Sequence, residues 1–271
     1  MGPSLQDIYA ARRRLAGVIH STPLERSDWL SERAGCPVYL KLENVQRTRS
    51  FKIRGAYNAI ATLPESERRR GLIAASAGNH GQGVALAARE FGVTATIFVP
   101  SGAPATKQAR IRGLGAELRT VEGSYDDAEA AAIAFAEESG GCFVHPFADP
   151  MVVAGQGTIG IEILEALPDV SEVVVPVGGG GLIAGIGTVL KTVGRDEIRV
   201  LGIQSEETRS MHAAFEAGHP VDVEAGPTLA DGLSGGVDEA SFRRAVAVTD
   251  VIRLVDEESM AEAIRELYRR D

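Results

Sequence analysis

Along this chain short apolar runs alternate with longer stretches whose apolar residues return every three to four positions, a rhythm that predicts parallel βαβ units. Leu72-Ile73-Ala74-Ala75-Ser76 reads as a strand, and a helix follows through Val84-Ala85-Leu86-Ala87-Ala88-Arg89. A strand over 93–99 is closed by Pro100. Then come a helix over 105–114, a strand over 117–121, a helix over 126–138 and a strand over 142–144. After His145-Pro146-Phe147 the pattern gives a helix over 157–167, a strand over 173–177, a helix beyond the glycines that follow it and a strand over 199–204. Residues 261–270 read as one more helix. The predicted fold class is α/β, with two open, mainly parallel-sheet lobes. One is a small, self-contained α/β domain at 71–148; the other is a larger domain made of 1–70 and 149–271. Ligands of such sheets bind outside the carboxyl ends of the strands, so a cleft between the lobes is the expected site.

Residues 173–190 carry no charge and reach the length at which a membrane span must be considered. Pro176 and the run Gly178-Gly179-Gly180-Gly181 would break such a helix, so strand, turn and helix is the better reading. Of the 271 residues 44% are hydrophobic, ample for a buried core, and the net charge is −9. That sign argues against nucleic acid and anionic membranes as partners, since both need clustered Lys and Arg. A small molecule is the expected partner. Cys36 and Cys142 have neither CxxC spacing nor a disulfide framework, and residues 1–7 lack a basic stretch followed by an apolar one. A reducing compartment, the cytoplasm, is expected.

Two features carry chemistry. Lys52, in Ser50-Phe51-Lys52-Ile53-Arg54-Gly55-Ala56, is an amine near a helix start, where alone it would read as a solvated charge. The four glycines between a strand and a helix let the backbone approach an anion while the first helical N–H groups point at it, although a tight turn would also take small residues. An amine nucleophile and a phosphate cradle are what a protein must supply to hold a phosphorylated aldehyde. The turn Ser76-Ala77-Gly78-Asn79-His80-Gly81 likewise follows a strand. Gly179-x-Gly181-x-x-Ala184, with Glu206 and Glu207 further on, formally matches a dinucleotide fingerprint, but nothing in the chain supplies hydride transfer.

Leu40-Lys41-Leu42-Glu43-Asn44, the Lys52 motif, Ser76-Ala77-Gly78-Asn79-His80, Gly155-Gln156-Gly157-Thr158 and Val177-Gly178-Gly179-Gly180-Gly181-Leu182 occur in that order. Together they resemble the pyridoxal-phosphate enzymes of the threonine dehydratase and serine racemase family, from Thr22-Pro23-Leu24 to the last residue. The resemblance implies the tryptophan synthase beta-like architecture, fold type II, and pyridoxal 5′-phosphate as cofactor. It implies that Lys52 forms an imine with the cofactor aldehyde and, once released, serves as the base. Phe51 would pack on the pyridine ring, Asn79 would hydrogen-bond the ring hydroxyl, and Gly178, Gly179, Gly180, Gly181 and Leu182 would hold the phosphate. Gly232 would lie near the ring. Ser76, Ala77, Gly78, Asn79 and His80 would receive the carboxylate of an amino-acid substrate. Dimers or tetramers are the family's tendency.

The implied reaction is ammonia-lyase (dehydratase) chemistry on a β-hydroxy amino acid, L-threonine or L-serine by default, giving a 2-oxo acid and ammonia. Ile53 stands where β-replacement relatives carry Asp, which discounts that chemistry. Ala77 stands where racemases place a second serine, and a methyl group cannot transfer a proton, which points to a one-base lyase. Gln204 stands near a carboxylate of the racemase metal site, and an amide is a poorer ligand for a hard cation, so the resemblance leans to no metal, although Glu206, Glu207 and Asp231 could still gather an ion. Relatives continue past residue 271 with a helix and a strand whose serine meets the pyridine nitrogen, and no residue here is assigned that role. The chain reads as C-terminally truncated. The alternatives are serine racemase-like or hydroxyaspartate ammonia-lyase activity, or a chain that holds the cofactor with impaired turnover.

Overall fold

The computed structural model describes residues 2–193 and 197–270. Its strands are β1 (Leu24–Ser27), β2 (Val38–Lys41), β3 (Leu72–Ala75), β4 (Ala95–Pro100), β5 (Glu117–Val121), β6 (Cys142–Phe143), β7 (Glu172–Pro176), β8 (Arg199–Ser205) and β9 (Val251–Val255). Its helices begin with α1 (Leu5–Leu15), α2 (Asp28–Ala34), α3 (Lys52–Thr62), α4 (Glu65–Arg68), α5 (Asn79–Phe91) and α6 (Ala105–Gly113). They continue with α7 (Tyr125–Ser139), α8 (Pro150–Ala166), α9 (Gly181–Val193), α10 (Ser210–Ala217), α11 (Glu239–Val246) and α12 (Glu257–Arg270). The chain divides into two compact units, one of Gln6–His20 with Asn44–Gln156, the other of Met1–Leu5 and Ser21–Glu43 with Gly157–Asp271.

In the first unit the sheet order is β5-β4-β3-β6, with every neighbouring pair parallel. Side chains alternate across a strand, so β3 sends Leu72 and Ala74 to one face and Ile73 and Ala75 to the other. The first pair joins Ile53, Ile60, Val84, Leu86 and Ile97 in a core built with α3 and α5. The second packs with Phe98 against Ala128, Ala132 and Ala136 of α7, whose small residues let it lie close on the sheet. Burying a residue such as Leu72 or Ile97 completely is worth about 1.5–3 kcal/mol.

The second unit holds a parallel sheet in the order β7-β8-β9 and the antiparallel pair β1-β2. In β7 Val173 and Val175 are buried and Val174 is exposed, and α9 packs on β7 and β8. The Lys41 ammonium meets Glu162 at 2.6 Å in a largely buried ion pair that ties β2 to α8. The uncharged stretch 173–190 is thus strand, glycine turn and helix, and among the described residues no helix is long and apolar enough to cross a membrane.

Several expected boundaries moved, α12 among them, which begins at Glu257 rather than 261; two of the moves have a clear local reason. The strand expected from 93 begins at Ala95, because the Val93 N–H closes the end of α5 on Ala88 O (3.0 Å) around Gly92 at φ 65. The helix expected from 157 begins at Pro150, where a proline suits the first helical position and the Asp149 carboxylate accepts the Met151 N–H at 2.6 Å.

Candidate functional site

Lys52 is the first residue of α3, preceded by Phe51 at its N-cap. Two close approaches fix that turn. A Cβ on Gly83 would stand 3.3 Å from Ala56 Cβ and 3.3 Å from the Lys52 carbonyl carbon, so glycine lets α5 lie directly against the start of α3. On another side a Cβ on Gly155 would collide with Arg54 O and would stand 2.6 Å from Gly55 Cα, so the head of α8 reaches the α3 backbone through paired glycines. The Lys52 amine donates to Pro146 O at 3.1 Å and lies 5.5 Å from the centre of the Phe51 ring. Burial lowers its pKa from 10.5 to about 8, because the charged form loses water and gains only a carbonyl.

The turn after β3 stands in the same unit. Ser76 N–H continues the sheet to Phe98 O, and Ser76 Oγ accepts the Gly78 N–H at 3.2 Å. Ala77 turns its methyl towards the core beside α5. Asn79 opens α5 with an exposed side chain, and the first helical bond from this turn is Gln82 N–H to Gly78 O at 3.3 Å. The N–H groups of Asn79, His80 and Gly81 therefore have no acceptor within the helix and form an anion-seeking end. His80 is buried and points away from that role: its Nε2–H donates to Val144 O at 2.8 Å. Desolvation first, then the Lys52 charge, pushes its pKa down to about 3, so the ring is neutral.

The glycine run belongs to the other unit. Val177 N–H still pairs with Ile203 O at 2.8 Å, and the helical ladder of α9 opens with Ala184 N–H to Gly180 O at 3.0 Å. Between them the N–H groups of Gly181, Leu182 and Ile183 lack acceptors within the helix. Gly180 sits at φ 85, where an L side chain is strained, and a Cβ there would stand 2.6 Å from Met211 Cε. A Cβ on Gly178 would stand 2.8 Å from Leu233 O. The structure thus sets the loop beside the short turn Asp231–Leu233 that carries Gly232, where an added Cβ would meet open space. Thr228 Oγ1 and Leu229 N–H, just upstream, are held by the Glu257 carboxylate at 2.7 Å each. These donors, the Leu229 N–H first, lower the Glu257 pKa.

Lys52, Phe51 and 76–80 are therefore brought together in one unit, and Gly178, Gly179, Gly180, Gly181, Leu182 and Gly232 in the other. Each set by itself fits one end of a phosphorylated aldehyde: the first offers a dehydrated amine, and the second a backbone cradle in which the Cβ positions of Gly178 and Gly180 are closed by Leu233 and Met211. Sequence reasoning missed Gly83 and Pro146, although a glycine inside a helix, as at Gly81-Gln82-Gly83, costs about 1 kcal/mol against alanine and signals close packing. Gln204 accepts the His212 N–H through its amide oxygen at 2.9 Å. Among the described residues no group of three or more His, Cys, Asp or Glu is placed to hold a metal ion.

Comparison with known proteins agrees with this chemistry. Residues 15–271 match the family model described as pyridoxal-phosphate dependent enzyme. An L-threonine ammonia-lyase of Thermotoga maritima is 50% identical over 262 residues, which are 96% of this chain and 65% of the relative. The chain thus spans just under two thirds of that relative's length. Among solved structures, a threonine deaminase of T.th. matches with a TM-score of 0.93 at 40% identity, covering 99% of this chain and 87% of that one. Maize serine racemase matches with a TM-score of 0.96 at 29% identity, covering 99% and 81%. With its lysine at the head of α3 and its glycine turn at the head of α9, the chain belongs to the pyridoxal-phosphate dependent enzymes of fold type II.

Proposed function

We propose that the chain is an ammonia-lyase that uses pyridoxal 5′-phosphate to convert a β-hydroxy amino acid, L-threonine or L-serine first, into a 2-oxo acid and ammonia. The observation that carries this reading is the Lys52 amine, dehydrated at the start of α3 so that its pKa falls to about 8. A useful neutral fraction then exists near pH 7 to bind the aldehyde and, when free, to take the substrate's Cα proton. The likeness to an L-threonine ammonia-lyase and a threonine deaminase supports the substrate class.

When bound, pyridoxal phosphate supplies the electron sink that makes the Cα proton acidic. In this reading Phe51 would pack on the ring, Asn79 would donate to the ring hydroxyl, and Gly178, Gly179, Gly180, Gly181 and Leu182 would take the phosphate through backbone N–H groups. Gly232 borders the ring. Ser76, Ala77, Gly78, Asn79 and His80 receive the substrate carboxylate, chiefly through N–H groups at the head of α5. Loss of the Cα proton to Lys52 and of the β-hydroxyl as water leaves an enamine, which regains that water to give the 2-oxo acid and ammonia.

A racemase reading draws on the maize structure, but Ala77 offers a methyl where a second proton carrier would be needed. Assembly as a homodimer or homotetramer and residence in the cytoplasm belong to the proposal, the latter supported by the free thiols Cys36 and Cys142.

Protein supplied with pyridoxal 5′-phosphate should gain a visible absorbance band that Lys52→Ala lacks, and should release 2-oxo acid from L-threonine or L-serine. Absorbance without product would mean a cofactor-holding chain with impaired turnover, and product from hydroxyaspartate alone would move the substrate. Neither signal in folded protein would sink the reading.

A further inference from the structure

The segment after β6 meets the Lys52 amine, and it is held more firmly than a loop. Val144 N–H extends the sheet to Ile73 O at 2.8 Å, while Val144 O accepts His80 Nε2–H at 2.8 Å. Two residues on, Pro146 O accepts from Lys52 Nζ at 3.1 Å. Beyond it, His145 Nδ1 accepts the N–H groups of Phe147 (3.2 Å) and Ala148 (2.9 Å), folding the segment back on itself. His80 is 3% exposed, and because a carbonyl can only accept, its proton must sit on Nε2. The same helix that carries His80 also touches the Lys52 backbone through Gly83. Thus α5 governs both ends of the lysine: its main chain directly and its amine by way of the 144–146 segment.

A lone carbonyl has a particular effect on an amine. A carboxylate partner would hold it protonated, whereas a carbonyl takes one N–H from the neutral form and leaves the nitrogen lone pair directed elsewhere, free to attack or to accept a proton. We infer that His80 is a positioning residue for the Lys52 base: by anchoring Val144 O it fixes Pro146 O as the seat on which the free amine rests with its lone pair available. This assigns the His80 side chain to the seat rather than to the substrate, and it rests on the reading of Lys52 as the cofactor lysine. His80 on α5 and His145 on the segment itself are the titratable neighbours of the seat.

The test reads the amine itself. Apoprotein is exposed to pyridoxal 5′-phosphate across a pH series, trapped with borohydride, and the labelled fraction is counted by mass. Wild type should be labelled with a midpoint near pH 8. His80→Gln, whose amide N–H reaches the same carbonyl, should keep that midpoint. His80→Asn is too short to hold Val144 O; the freed segment then lets water reach the amine and relieves the burial that lowers its pKa, so the midpoint should rise above that of wild type, each unit slowing labelling at pH 7.5 by about tenfold. A folded His80→Asn with the wild-type profile would overturn the inference. So would His80→Gln with a midpoint near 10.5, which keeps the test alive if the asparagine variant does not fold. Equal labelling of Lys52→Ala would instead overturn the assignment of the cofactor lysine, an outcome distinct from Lys52-dependent labelling that ignores residue 80.

Discussion

A buried lysine is a cost until it loses its proton. Lys52 in the folded chain releases its proton near pH 8, whereas the unfolded chain holds it until 10.5. Below pH 8 both states are charged and the fold bears the full penalty of a dehydrated ammonium. Between 8 and 10.5 the unfolded state binds more protons, so stability rises with pH. Urea midpoints of the apoprotein should therefore climb across that window, less so in Lys52→Met, which has no amine to dehydrate. Parallel curves for the two proteins would mean that the amine is better hydrated than its surroundings indicate. The same lowered pKa that destabilises the empty fold is what leaves a nucleophile available near neutrality.

Between elements, what places that amine is the contact of α3 with α5 at Gly83. A valine there must push against Ala56 Cβ and the backbone of Lys52, both only 3.3 Å from the first added carbon. Overpacking of this kind costs about 1–3 kcal/mol, and because it displaces the first turn of α3 it should also slow covalent capture of pyridoxal 5′-phosphate. Gly83→Val measured for both urea midpoint and capture rate should lose on both counts; a loss of stability with unchanged capture would place the strain elsewhere. Gly83 also marks where sequence reasoning reached its limit. The parallel units were legible because Leu72-Ile73-Ala74-Ala75 and Ile97-Phe98-Val99 are unbroken apolar runs, buried on both faces of the sheet, and the glycine run follows another apolar strand. The α8 boundary was hidden because Gly155, Gly157 and Gly160 dilute its apolar pattern, although Asp149-Pro150 is a start signal. The antiparallel β1-β2 pair was invisible for another reason: Glu25 and Arg26 face solvent, so β1 has no apolar run to find, and β2 offers only the three apolar residues Val38-Tyr39-Leu40. Lys52, the 76–80 turn and the glycines were legible as motifs, but Pro146 was not, since it acts through a carbonyl that every residue possesses.

For the whole molecule, the proposal makes stability a function of one ligand's chemistry. A ligand that binds only the folded chain stabilises it by about 2.7 kcal/mol at a hundredfold excess over its dissociation constant, and for a chain of this size each kcal/mol moves Tm by roughly 2–4 °C. Pyridoxal 5′-phosphate should thus raise the Tm of the apoprotein by several degrees in a concentration-dependent way. Its two ends can be separated. Pyridoxal, which has the aldehyde without the phosphate, should raise Tm less and do nothing to Lys52→Ala. Inorganic phosphate should act through the glycine turn and be indifferent to Lys52→Ala. Gly180→Ala, strained at φ 85 and crowded by Met211, should lower the starting Tm and abolish the phosphate response while leaving the pyridoxal response in place. Scanning calorimetry of these combinations checks the assignment without any assay of turnover. If pyridoxal matched pyridoxal 5′-phosphate at equal excess over wild type, the glycine turn would have no part in holding the cofactor, however well its backbone suits an anion.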